Sequence, residues 1–227
     1  MPEVSIIIPV YNAQRALDKC LESIFNQTFK DYEVIAVNDG STDESGKILE
    51  KYNDKIEIIN QQNQGAPMAR NTGAKAAISP YIIFCDADII MKPDMLKELH
   101  TALKNNPQAS YAYCGFKFGF KNFKLFPFDS NRLKKMPYIH TTSLINKNHF
   151  PGFDPKLKRF QDWDLWLTML KQGHIGQYVP KILFRMIPGG TMSSWLPSFA
   201  YRLPWLKKVK QYQEAEKIIK EKHFNKH

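Results

Sequence analysis

Asp86 and Asp88 stand one residue apart, directly after the apolar run Tyr81–Cys85. Two hard carboxylate oxygens at a rigid strand end suit a Mg²⁺ or Mn²⁺ ion that keeps waters and shares a diphosphate. Acids in such a place also serve simply to cap the next helix. Asp39 ends a second apolar run. It can accept from the N–H of a base such as uracil, or close an Asx turn with Gly40. Asp162 precedes Trp163, Trp166, Leu167 and Leu170, which fall on one helical stripe. A carboxylate at a helix start can cap amides, stay ionised and still take a proton, so capping and general-base readings are compatible. His140 and His149 stand alone and read as packed side chains rather than ligands. Cys20, Cys85 and Cys114 are odd in number and show no C-x-x-C spacing. A disulfide framework or structural zinc site is therefore disfavoured, and a reducing cytosol fits.

The elements that must position these groups alternate. Val4–Val10 is a continuous β-branched run, as expected of a strand buried on both faces. Leu17, Cys20, Leu21 and Ile24 make one helical stripe within Ala13–Phe25. Glu33–Asn38 reads as a second strand, and the Asp39–Asp43 turn leads into a helix through Ile48 and Leu49. Ile56–Ile59 reads as a third strand and Pro67–Ala77 as an Ala-rich helix. Tyr81–Cys85 is a fourth strand, and Pro93 opens a helix over Asp94–Leu103 as a first-turn proline. Farther on, Phe116–Lys121 alternates apolar with basic or small residues, as a half-exposed strand would. The βαβαβαβα order implies a mostly parallel sheet covered by helices, an α/β fold whose ligands bind at the carboxyl ends of the strands. Those ends carry Tyr11-Asn12, Asn38-Asp39-Gly40, Asn63-Gln64-Gly65 and Asp86-Ala87-Asp88. Neither G-x-G-x-x-G after the first strand nor G-x-x-x-x-G-K-S/T is present, which argues against a dinucleotide or P-loop site.

The chain has 227 residues, 43% apolar and 24% charged, so it holds enough core for a folded unit of this length. No apolar run approaches the roughly 20 residues of a membrane span, and no secretory leader is expected ahead of the first strand. The formal charge of +10 is uneven. Residues 1–114 hold 11 Lys and Arg against 15 Asp and Glu, whereas residues 115–227 hold 21 against 7. An acidic first half needs backbone amides or a metal to hold a polyphosphate. The net charge prompts a nucleic-acid reading, but 26 Lys against 6 Arg and the lack of any recognised motif speak against it. From Trp195, the residues Leu196, Phe199, Tyr201, Leu203, Trp205 and Leu206 precede a Lys-rich stretch. Such a tail suits an anionic membrane surface, or packs as a helix with solvated lysines.

In this order and spacing the motifs resemble family 2 glycosyltransferases of the GT-A fold. The likeness runs from Val4 to about Ser193. It rests on residues 5–12 (SIIIPVYN), 37–43 (VNDGSTD), 69–73 (ARNTG), 84–88 (FCDAD), 152–154 (GFD) and 161–166 (QDWDLW). It implies an inverting enzyme that moves a sugar from a nucleotide-sugar, usually a UDP-sugar, to an acceptor hydroxyl. By the resemblance, Pro9, Val10, Tyr11, Asn12, Asp39 and Gly40 form the nucleoside side, with Pro9, Tyr11 and Asp39 at the base. Arg70, Asn71 and Ala87 support the sugar-phosphate region. Asp86 lies near the ribose or the metal waters, Asp88 binds a divalent cation (Mn²⁺ or Mg²⁺), and Asp162 is the base, with Gln161 and Trp163 beside it on the acceptor side. Gln161 stands where the family usually has an acid. Ile187 stands where it often has a His able to assist the metal, so that help is absent or comes from elsewhere. The implied layout is a nucleotide-sugar half at 1–114, an acceptor and catalytic half of the same domain at 115–194, and a basic tail at 195–227. The implied setting is surface polysaccharide or glycolipid assembly, with a saccharide or lipid-linked saccharide acceptor, in the cytoplasm or at the inner face of its membrane. A catalytically silent nucleotide-sugar-binding or scaffold module is the alternative, and a nucleotidyltransferase lacks its glycine-rich basic loop here.

Overall fold

A computed structural model gives the fold. It describes residues 1–188 and 206–224, with only the backbone of Lys208. The elements in chain order are β1 (Val4–Val10), α1 (Leu17–Phe25), β2 (Tyr32–Asp39), α2 (Ser45–Glu50), β3 (Glu57–Gln61), α3 (Ala66–Ala76), β4 (Tyr81–Phe84), β5 (Ile89–Met91) and α4 (Met95–Asn105). They continue with β6 (Ala109–Phe118), β7 (Lys121–Phe123), α5 (Ser130–Lys135), β8 (Leu144–Asn146), a 3-10 turn, α6 (Gln161–Lys171), β9 (Ile175–Met186) and α7 (Lys207–Phe224).

One sheet runs β3-β2-β1-β4-β8-β6-β9-β5, with β7 hairpinned onto β6. β3, β2, β1 and β4 are parallel. Beyond them β8 is antiparallel to both β4 and β6, and β9 returns parallel to β6. The sheet is thus parallel through its first half and mixed beyond, a GT-A-like α/β arrangement.

β1 shows why its sequence is apolar but for Ser5, whose buried hydroxyl donates to Glu33. Val4, Ile6, Ile8 and Val10 face the core built with α1 and α4, whereas Ile7 faces the one built with α3 and α6. Alternate residues of a strand point to opposite faces, so a strand covered on both sides needs apolar residues on both. On the second side Trp163 and Trp166 are fully buried, and the Trp166 ring stacks on Tyr111 at 4.4 Å. Gly73 lets α3 press onto β1: a Cβ there would lie 2.4 Å from Ile7 Cγ2.

Several element ends differ from the sequence expectation, each for a local reason. α1 begins at Leu17 rather than Ala13: residues 13–16 form a separate turn, with the Ala16 and Leu17 amides on Ala13 O and the Ala13 and Gln14 amides held by Ser45 and Asp43. β3 begins at Glu57, since the Ile56 amide still bonds to Tyr52 O. Pro93 lies just outside α4, whose N-cap is Asp94. The run Phe116–Lys121 does not continue as one strand but turns at Gly119, with φ of 55°, into β7. The aromatic positions Trp195, Phe199, Tyr201 and Trp205 lie outside the described residues.

Candidate active site

In the parallel half all strands end on one edge, so Val10, Asp39, Gln61 and the Asp86–Asp88 turn meet there. Beside this edge opens a cleft of about 1260 Å³. Of the residues singled out by sequence, Pro9, Val10, Tyr11, Asn12, Asp39, Arg70, Asp86, Ala87, Asp88 and Gln161 line it. Gly40, Asn71, Asp162 and Trp163 do not.

The nucleoside side is built by side chains tying loop backbone together. Asn12, at φ 48°, accepts through Oδ1 from the Thr42 amide at 2.8 Å, and its own amide donates to Ser41 Oγ. Asp39 is 2% exposed. Its Oδ1 accepts from Gln61 Nε2 at 2.7 Å and from the Gln64 amide at 2.9 Å, and its Oδ2 accepts from the Gly65 amide at 2.8 Å. The carboxylate thus organises the loop ahead of α3 and keeps acceptor capacity on Oδ2. Gly40 serves the same loop from behind: it has φ of 70°, and a Cβ would lie 2.8 Å from the Asn63 amide nitrogen. Tyr11 stays 45% exposed at the mouth.

Arg70 joins the two sides. Only 4% exposed, it donates from Nη2 to Asp86 Oδ1 at 2.6 Å and from Nη1 to Gln161 Oε1 at 3.0 Å, while its buried Nε has no partner among the described residues. Gln161 also donates to Leu157 O. Burial is the largest single influence and raises the Asp86 carboxyl, but the charge and hydrogen bond of Arg70, with His140 nearby, together outweigh it, and the pKa lies below the ordinary value. Asp88 is pushed up to about 6, first by burial and then by the negative charge of Asp86. The Ile187 amide donates to Asp88 O at 2.8 Å, which brings the end of β9 against this turn.

Asn71 forms a two-way tie rather than a wall of the cleft. Its Nδ2 donates to Phe153 O and its Oδ1 accepts from the Phe153 amide, both at 2.8 Å. Asp162 sits in the first turn of α6, whose N-cap is Phe160 in the left-handed region. Asp162 is therefore not the cap. Its Oδ1 accepts from the Trp163 amide at 2.8 Å, and among the described residues Oδ2 has no hydrogen-bond partner. Burial raises this carboxyl above its ordinary value, against the lowering by the Trp163 amide and the charge of Arg70. Trp163 is core, donating from Nε1 to Leu133 O. His140 packs against Phe116 and Phe184, and burial lowers it to about 4, so it is neutral at pH 7. His149 stacks on His174. Neither lines the cleft.

Sequence reasoning missed part of the lining: Asp43, Lys156, Lys158 and Arg159, and one face of α7. The Lys-Leu-Lys-Arg run between Phe153-Asp154 and Gln161-Asp162 was the available signal for the middle group. Among the described residues no group of three or more His, Cys, Asp or Glu is arranged around a metal site.

The family model described as "Glycosyl transferase family 2" matches residues 5–162. An uncharacterized glycosyltransferase, EpsJ of Bacillus subtilis, is 42% identical over 51% of this chain and 34% of its own length. The uncharacterized glycosyltransferase RP339 of Rickettsia prowazekii is 30% identical over 77% of this chain and 60% of its own. The chain thus spans only part of these relatives. Among solved structures, S. aureus TarS 1–349 in complex with UDP superposes with a TM-score of 0.71 at 20% identity, covering 83% of this chain and 61% of that one. A mannosyltransferase from Pyrobaculum calidifontis, in complex with GDP-Man and Mn²⁺, gives 0.65 at 17% identity over 85% and 59%. These likenesses carry the fold, while the family match takes in the strand edge, the Asp86–Asp88 turn and Asp162. The chain belongs to glycosyl transferase family 2.

Proposed function

We propose that the protein moves a hexosyl group from a UDP-sugar to an acceptor hydroxyl with inversion. The observation that carries this reading is Arg70, which links Asp86 at the strand edge to Gln161, the residue before Asp162, across one cleft. The uracil N–H reaches Oδ2 of Asp39, and Pro9 and Tyr11 flank the base. Asn71 acts by holding the Phe153 loop. Asp162, next to the lining residue Gln161 and with no partner on Oδ2 among the described residues, removes in its unprotonated form the proton from the acceptor hydroxyl as that oxygen attacks the anomeric carbon from the face opposite the leaving diphosphate. One displacement inverts the centre and needs no protein nucleophile.

The residues fit a divalent cation. Asp88 is a carboxylate on the cleft with no salt-bridge partner among the described residues; burial first and then the negative charge of Asp86 disfavour its ionised form, and a bound cation would relieve both. Asp88 would hold Mn²⁺ or Mg²⁺, with diphosphate oxygens and waters completing the shell. When bound, the ion supplies Lewis-acid neutralisation of the departing diphosphate. Ile187, on the cleft rim, cannot ligate it.

A saccharide or lipid-linked saccharide acceptor in surface polysaccharide or glycolipid assembly, which the motif resemblance implies, completes this reading. A peripheral position on an anionic membrane through residues 195–227 belongs to the same reading. Among the described residues no helix is long and apolar enough to cross a membrane.

The test is calorimetric titration of UDP with and without Mn²⁺, on the wild type and Asp88→Ala, followed by a nucleotide-sugar panel read by nucleoside diphosphate release. Mn²⁺ should tighten UDP binding in the wild type alone. Equal affinity with and without the ion would remove Asp88 as its ligand. Failure to bind UDP would end the donor reading, and binding without turnover of any donor would favour a silent module.

A further inference from the structure

α7 carries two working faces. Val209 and Ile219 are buried against the body, Tyr212 meets Phe160 edge to face at 4.9 Å, and His223 Nε2 lies 2.6 Å from Asp164 Oδ1. Lys222 completes the clamp, donating to Asp154 Oδ2 at 2.7 Å and to Asp164 Oδ2 at 3.0 Å. The other stripe, Gln211, Glu214, Ala215, Ile218 and Lys222, lines the cleft. This spacing of three to four residues is one side of a helix. The helix lies outside the 5–162 segment that the family model matches.

The opposite wall at the same end is the loop with Lys156, Lys158 and Arg159, all exposed. None of the three makes an ion pair among the described residues, and Arg159 reaches only Gln211 Oε1, at 3.5 Å. The two ends of the cleft therefore differ in sign. The strand edge sets Asp39, Asp43, Asp86 and Asp88 against Arg15 and Arg70. At the α7 end the lining carries Lys156, Lys158, Arg159 and Lys222 against Asp154 and Glu214, with Lys222 shared between Asp154 and the buried Asp164.

We infer that the end of the cleft between loop 156–159 and α7 receives a negatively charged saccharide acceptor; this rests on the transferase reading above. Lys156, Lys158 and Arg159 meet the anionic group. Ala215 and Ile218, the latter 51% exposed, offer an apolar surface for the C–H face of a sugar ring, and Gln211 and Glu214 offer hydroxyl partners. Concave walls with a few convergent polar groups over an apolar patch suit a ligand of this class.

Saturation-transfer NMR titrations on the full chain, at physiological ionic strength and saturating UDP, test it with three probes: methyl glucoside, methyl glucuronide and glucose 6-phosphate. UDP fills the nucleotide end, so a sugar phosphate cannot report on that site. At least one anionic probe should bind about fivefold tighter than the neutral glucoside, the effect of one to two partly exposed charge contacts. Comparing glucuronide with phosphate tells which anion is read. The double variant Lys156→Glu with Lys158→Glu should erase the preference, and Ile218→Glu should weaken the anionic probes, while both keep UDP affinity within about twofold. Equal binding of neutral and anionic probes, no binding of any probe, or a preference that survives charge reversal would overturn the inference. A protein that fails to bind UDP would instead overturn the donor reading, and the probes titrated without UDP would still decide the charge preference.

Discussion

The two ends of the cleft are built by different means. At the strand edge, carboxylates and amides of neighbouring loops bind backbone: Asp39 alone fixes the Gln64 and Gly65 amides, and Asn12 fixes the Thr42 amide. At the α6–α7 end, side chains bind side chains over long separations, as with Asp164 to His223 and Lys222. A site organised through backbone is committed to one shape, because each tie is repeated along a sheet edge that cannot slide. A site organised through side chains on helices changes with single substitutions while the sheet stays intact. On the function proposed above, holding the nucleotide would fall to the first kind of frame and choosing the acceptor to the second.

That contrast can be broken from either side. The largest effect is expected at Asp162. Asp162→Asn should lower transfer by about 10²–10⁴-fold, the usual worth of a general base, with UDP affinity unchanged; equal turnover of variant and wild type would remove it as base. At the strand edge a substitution should act on fold and binding together. Asp39→Ala strips partners from two backbone amides and Gln61, at about 1–3 kcal/mol for each group left unsatisfied, so denaturant midpoint and UDP affinity should both fall. Gly73→Ala tests the rigidity of the frame more gently. The added methyl meets Ile7 Cγ2 at 2.4 Å in a strand packed on both faces, and overpacking of about 1–3 kcal/mol is offset by about 1 kcal/mol of helix propensity. A net loss near 1 kcal/mol is expected in chemical denaturation. The smallest effect is in pH. Burial raises the Asp162 carboxyl, the base works only without its proton, and so kcat/KM should be lost as pH falls through an ionisation above the ordinary aspartate value of about 3.9. Asp162→Asn should remove that ionisation from whatever rate remains, leaving any acid limb that Asp88, at about 6, contributes through the cation.

The first half was legible because strands buried on both faces appear as unbroken apolar runs, and their order alone brings Tyr11, Asp39 and Asp88 to one edge. Element ends shifted where side chains took amides the periodicity assigned to a helix, as Asp43 and Ser45 do ahead of α1. Arg70 was legible as a site residue but not as a bridge. Its partner Gln161 lies 91 positions away, and no local pattern encodes such a contact. Asn71 and Gly40 stood in the right motifs, yet they act on loops rather than on the cleft. A packed C-terminal helix was one of the two readings the tail allowed, but its partners were not legible: nothing local shows that Lys222 and His223 meet Asp154 and Asp164 on the body.

Arg70 and Asn71 are consecutive residues on one turn of α3, and each fastens to the second half of the chain, the first at Gln161 and the second at Phe153. Adjacent rivets of this sort leave no seam. Local unfolding that parted the nucleotide strands from α6 would strand a buried guanidinium and a paired amide in the same event, so both fluctuate as a single cooperative unit. The width of the cleft is thereby set by one helical turn, and adjustment to substrates of different size falls to the loops and to α7.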